Sequence, residues 1–120
     1  MKQKIQENLM PHCVIEHSDN INGKILIKAV HSGALASELF EPTGSDIKVR
    51  ATSFSEYKTG VVDLNFVHVT LKILSGRTVE QKTMLSNTVL SNLRSLSLTN
   101  CSISVEVQDI DRASYAKVIV

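Results

Sequence analysis

Apolar and polar positions along the chain fall into two successive β-α-β patterns. The run His12–Ser18, with Val14 and Ile15 at its centre, predicts a strand. Ser18-Asp19-Asn20 then supplies capping and turn chemistry. From about Lys24 to Phe40, the positions Leu26, Ala29, Val30, Gly33, Ala34, Ser37 and Phe40 keep the i, i+3, i+4, i+7 spacing of an amphipathic helix. "EPTGSD" interrupts it, with Pro42 and Gly44 as punctuation. In "IKVRATSFS" Ile47, Val49 and Ala51 alternate with Lys48, Arg50 and Thr52, which predicts a second strand. "YKTGVVD" reads as a loop or hairpin connection.

The second unit is plainer. "NFVHVTLKI" predicts a strand with Val67, Val69, Leu71 and Ile73 on one face and Phe66, His68, Thr70 and Lys72 on the other. Thr78-Val79-Glu80-Gln81 is a capping box that opens a helix striped by Leu85, Val89, Leu93 and Leu96. "NCSISVEVQDI" predicts a last strand. The tail "DRASYAKVIV" ends in an apolar run that needs a surface to pack on.

These elements define an α/β (α+β) fold of two consecutive β-α-β units, a four-stranded sheet with two helices on one face. Two helices leave the other sheet face wet in a monomer, and such sheets are ordinarily covered on both faces. Self-association is therefore expected. No linker or low-complexity segment divides the chain. It is read as a short extension, residues 1–10, followed by one domain, residues 11–120.

Composition narrows the function. The 120 residues are 42% apolar, enough for a core in one domain. Thirteen basic side chains against twelve acidic ones give no field that would draw the protein onto nucleic acid or an anionic membrane. Aromatics are 4% of the chain and tryptophan is absent, which argues against base-stacking platforms. The apolar runs are too short to span a bilayer. The lysine-containing leader has no apolar core or cleavage site. Cys13 and Cys101 read as two buried free thiols of a cytoplasmic protein.

One segment is harder to place. "NLMPHCVIEHSDN" starts a strand with proline directly after an internal methionine. "MPHCVIEHSDNI" (10–21) and "NFVHVTLKILSGRTVEQK" (65–82) resemble the two signature segments of the 5-carboxymethyl-2-hydroxymuconate isomerase family, in the tautomerase superfamily. The resemblance runs from Pro11 to about Leu98, with a short deletion near Asn22–Lys24, and fades in the tail. It implies β-α-β repeats assembled as a homotrimer, no metal and no organic cofactor. It also implies a catalytic amino-terminal proline, here Pro11, exposed by removal of the initiator methionine. That proline would move a proton along an enol or dienol to give the conjugated ketone. The implied substrate is a carboxylate-bearing enol from aromatic catabolism, held by arginines.

The chemistry of the proline stands apart from the resemblance. A free α-amino group titrates near pH ~8, and nearby cations lower it further. A base poised near neutrality is an effective proton shuttle. An internal proline nitrogen is an amide with no such basicity. The ordinary reading of Pro11, a proline tolerated at the first position of a strand, is outweighed here only by the signature around it. With translation from Met1, the bulk of Lys2 blocks methionine removal. With translation from Met10, the small ring of Pro11 permits it. The leader is thus expected to reflect a misassigned start.

Arg77 follows Gly76 and precedes the helix cap Thr78, where unpaired N–H groups already favour anions. It matches the family's G-R position, so substrate binding is expected in place of a solvated loop arginine. Lys48 and Arg50 lie two apart on one strand face and could line a pocket together. The family tends to carry arginine at both, and lysine lacks the bidentate fork. His12 and His17 differ by an odd number of positions and point to opposite faces, so they do not chelate together. Cys13 has no activating base beside it in sequence. The resulting expectation is a keto–enol isomerase acting through Pro11, with Arg77, Lys48 and Arg50 on substrate carboxylates. The alternatives are a tautomerase with a different enol substrate, or a non-catalytic trimeric ligand-binding or structural protein in which Pro11 is never released.

Overall fold

The computed structural model describes residues 10–120. Apart from Met10, the predicted leader lies outside the described residues. In chain order the elements are β1 (His12–Ser18), α1 (Gly23–Ala36), β2 (Lys48–Phe54), β3 (Asn65–Leu74), α2 (Val79–Arg94) and β4 (Cys101–Ile110), followed by a 3-10 turn at Arg112–Ser114. The four strands form one sheet in the order β2-β1-β3-β4. β1 is parallel to β2 and β3 is parallel to β4, while the central β1–β3 pair is antiparallel. Each parallel pair is closed by its own helix, as a crossover between parallel strands requires.

The register decides which side chains share a face. His12 lies opposite Lys48 and Lys72, and Val14 lies opposite Arg50 and Thr70. These six residues occupy the uncovered face. On the other face Cys13, Ile15, Val67, Val69, Leu71 and Ile73 are buried beneath the helices, against Leu26, Val30, Leu85, Val89 and Leu93. Full burial of an aliphatic side chain of this size contributes roughly 1.5–3 kcal/mol.

α1 opens on Asn22, whose side chain accepts from the Lys24 N–H at 2.9 Å. It ends at Ala36, not at Phe40 as the apolar spacing predicts. The Ser37 hydroxyl donates to the Ala34 carbonyl at 2.6 Å, and Glu38 takes a left-handed φ of 61° that the helix cannot continue through. Leu39 and Phe40 remain buried, so the spacing was reporting burial in the exit turn. α2 begins with the predicted capping box, in which Thr78 and Gln81 satisfy each other's backbone N–H groups at 3.1 and 2.9 Å. Leu96 packs on the core from beyond the helix end. Where the two helices cross, Gly33 of α1 lies so near α2 that an added Cβ would stand 2.9 Å from the Val89 Cα.

"YKTGVVD" is an irregular loop. It is held at its base by the Thr59 hydroxyl, which accepts from the Leu64 N–H at 2.9 Å. The apolar end of the tail finds no cover within one chain: Val118, Ile119 and Val120 are exposed.

Candidate active site

Pro11 stands at the head of β1, fully buried. Having no N–H to donate, proline suits the residue before the strand. Its carbonyl accepts from the Lys48 N–H at 3.2 Å and so begins the β1–β2 ladder. The nitrogen of Pro11 carries Met10, whose side chain enters a cleft of about 300 Å³. Lys48 and Asp46 line this cleft beside Met10, with Glu41 and Ser45 from the loop before β2. Lys117 and Ile119 of the tail close its far side.

Charge at this end of the sheet is mixed, with Glu41 and Asp46 on the cleft beside Lys48 and Lys117. The Lys48 ammonium is held below the usual lysine range, first by burial and next by the charge of Lys117. Its Nζ lies 3.5 Å from the Asp46 carbonyl. On the same face Arg50 Nη1 donates to His12 Nδ1 at 3.3 Å, and His12 Nε2 meets the Tyr115 hydroxyl at 3.1 Å. An imidazole accepting at Nδ1 carries its proton on Nε2. His12 is accordingly held below 6.5, by burial first and then by Arg50, Lys48, Lys72 and Lys117. His17, by contrast, is buried on the helix side, so the two histidines do face apart.

The structure thus places Lys48 on the cleft beside Met10 and next to Pro11, while Arg50, on the same sheet face, contacts His12 and does not line the cleft. Arg77 does not line the same cleft. Its Nη2 donates to the Leu39 carbonyl at 2.5 Å, and its guanidinium carbon stands 5.9 Å from the centre of the Phe40 ring. It therefore holds the segment that leads into Glu41. Burial, then the nearby charge of Arg112, lowers its pKa.

Asp46 and Lys117 were not singled out by sequence reasoning. Asp46 is buried, and its Oδ1 has no hydrogen-bond partner among the described residues. Its Oδ2 accepts from the Glu41 N–H at 3.4 Å. Burial is the main cause that raises its pKa. Neither residue sits in a motif, and each reaches the cleft through a loop or tail whose path no periodicity records. No group of three or more His, Cys, Asp or Glu side chains suited to a metal occurs among the described residues. No described helix is long and apolar enough to cross a membrane.

Two β-α-β units joined through a central antiparallel pair form a tautomerase-like fold. The sequence pattern of 5-carboxymethyl-2-hydroxymuconate isomerases matches residues 11–118, and the chain belongs to that family. Among solved structures it is similar to a 5-carboxymethyl-2-hydroxymuconate delta-isomerase, with TM-score 0.78 and 15% identity over 97% of this chain and 91% of the other. It is also similar to a 5-carboxymethyl-2-hydroxymuconate isomerase from Deinococcus radiodurans R1, with TM-score 0.77 and 24% identity over 95% and 92% of the two chains. A fused 4-OT that forms a symmetric trimer shares the fold with TM-score 0.69 and 18% identity, over 83% of this chain and 85% of its own. No curated protein matches the sequence.

Proposed function

We propose that the protein is a keto–enol isomerase whose base and acid is the secondary amine of Pro11, exposed when Pro11 is the chain terminus. The amine takes a proton from a dienol or enol substrate and returns it to another position of the conjugated system. A conjugated ketone results, with no net gain or loss of electrons. The observation that carries this reading is positional. The family match begins at Pro11, and that proline is buried at the head of β1 beside a cleft bearing Lys48 and Lys117. An amine formed there would feel those cations, which lower its pKa toward neutrality. The same cations suit a carboxylate-bearing substrate. In this reading Lys48 and Arg50 contact carboxylate directly, while Arg77 acts on the cleft wall or on a carboxylate brought against it.

Residues 11–120 are the working unit of this proposal, assembled as a homotrimer that covers the open sheet face. The trimeric fused 4-OT supports that assembly. The free thiols of Cys13 and Cys101 support a cytoplasmic setting. Lysine at position 48 favours a second reading within the same chemistry, a different carboxylate-bearing enol, because an ammonium does not make the two-pronged contact of a guanidinium. Protein beginning at Pro11 should convert a dicarboxylate enol to its conjugated ketone, measured by ultraviolet absorbance. Pro11→Ala in that protein should lower kcat/KM by roughly 10²–10⁴-fold. Unchanged turnover would refute the mechanism.

A further inference from the structure

We propose that Lys117, carried by the C-terminal tail, is a second cation of the substrate pocket and that it grips one substrate carboxylate together with Lys48. This rests on reading the cleft as the isomerase site.

The tail is steered there by specific contacts. Arg112 donates from Nε and Nη2 to the Ser75 carbonyl at 3.0 and 2.7 Å, fixing the turn that follows β4. The Asp111 carboxylate accepts from the Ala113 N–H at 3.4 Å and from the Ser114 hydroxyl at 2.8 Å. Tyr115 then meets His12 at the head of β1, 3.1 Å from hydroxyl to ring nitrogen. Lys117, two residues on, is thereby delivered to the cleft, where its Nζ lies 2.7 Å from Met10 Sδ. The Lys48 Nζ approaches the same sulfur at 3.9 Å.

Two ammonium groups therefore converge on one atom, and each raises the electrostatic cost of the other. Among the described residues neither takes part in a salt bridge, although Glu41 and Asp46 line the same cleft. The group at their point of convergence is a thioether, a weak acceptor that offsets little of the repulsion. A carboxylate offers two strong acceptor oxygens and a full negative charge, which answers both ammoniums at once. Met10 is the residue that leaves when Pro11 becomes the terminus. Its departure would clear this point next to the new amine. The carboxylate held there would lie beside the base, and Ile119 would supply an apolar wall for the carbon chain. The tail, exposed over most of its length, then has a reason to reach back across the sheet end.

The test uses protein beginning at Pro11, with its fold checked by circular dichroism, and the variants Lys117→Gln and Lys117→Arg. Glutarate serves as a non-reactive dicarboxylate probe in calorimetry, alongside steady-state kinetics with a dicarboxylate enol. Lys117→Gln should weaken glutarate about tenfold and raise KM by a similar factor with kcat little changed, and Lys117→Arg should restore both. An unchanged glutarate Kd and KM in Lys117→Gln would overturn the role of Lys117, whatever Pro11 does. Failure of the isomerase reading shows separately, as turnover that survives Pro11→Ala.

Discussion

At the scale of single residues, burial and neighbouring charge sort the candidates. Cys13 is fully buried, and burial pushes its thiol up to about 12 against the opposing charge of Arg50. Because the thiolate is the reactive species, native Cys13 should resist iodoacetamide at mildly alkaline pH and react once the protein is unfolded. Mass spectrometry of the native protein would show otherwise if the thiol took part in chemistry. Arg77→Ala should lower kcat/KM by loosening the segment that it holds at the Leu39 carbonyl, with KM raised. Arg50→Ala should cost less, because Lys48 remains on the same face. Kinetics indifferent to Arg77→Ala would remove that residue from the site. His12 sets a pH dependence. Its folded pKa lies below 6.5, so the unfolded chain takes up a proton that the folded chain refuses. Its contribution to stability is thus present above 6.5 and is lost as pH falls through the folded value. Urea midpoints should fall on acidification, and His12→Gln should flatten part of that fall. The place of Pro11 at the head of β1 and the shared face of Lys48 and Arg50 were legible from strand alternation, which fixes faces without knowledge of the rest of the chain. Lys117, Asp46 and the Arg77–Leu39 contact were not, because each depends on where a loop or tail returns in space.

At the scale of elements, local chemistry marked starts better than stops. The Thr78–Gln81 box was readable because both partners lie within one turn. The end of α1 was not, since Leu39 and Phe40 stay buried after the backbone has left the helix at Glu38. Thr78→Ala should lower stability by about 1 kcal/mol through loss of the cap. Gly33→Ala tests the helix crossing. The added methyl meets backbone of α2 and not the flexible end of a side chain, so one helix must shift. Destabilisation of roughly 1–3 kcal/mol is expected in denaturant titration. A stabilised variant would show that the two helices separate at little cost.

For the whole molecule, the open sheet face governs what one chain lacks. Phe66, His68 and Thr70 stand on it, partly exposed, with His68 bridging Ser104 Oγ at 2.7 Å and Glu106 Oε2 at 2.6 Å. The apolar end of the tail is uncovered as well. An assembly would bury both, and sedimentation should give a trimer at micromolar concentration, whereas a persistent monomer would contradict the proposed assembly. That one face would remain uncovered was legible from two helices set against four strands. The partner surface was not, because one chain's pattern does not say which copy covers which face. The central claim is that Pro11 works only as a free amine, and it is tested by comparing two proteins in one isomerase assay. One begins at Pro11, and the other retains residues 1–10, confirmed intact by mass. The first should be active and the second should lack the proline-dependent activity. Equal activity in the two would contradict the free-amine mechanism.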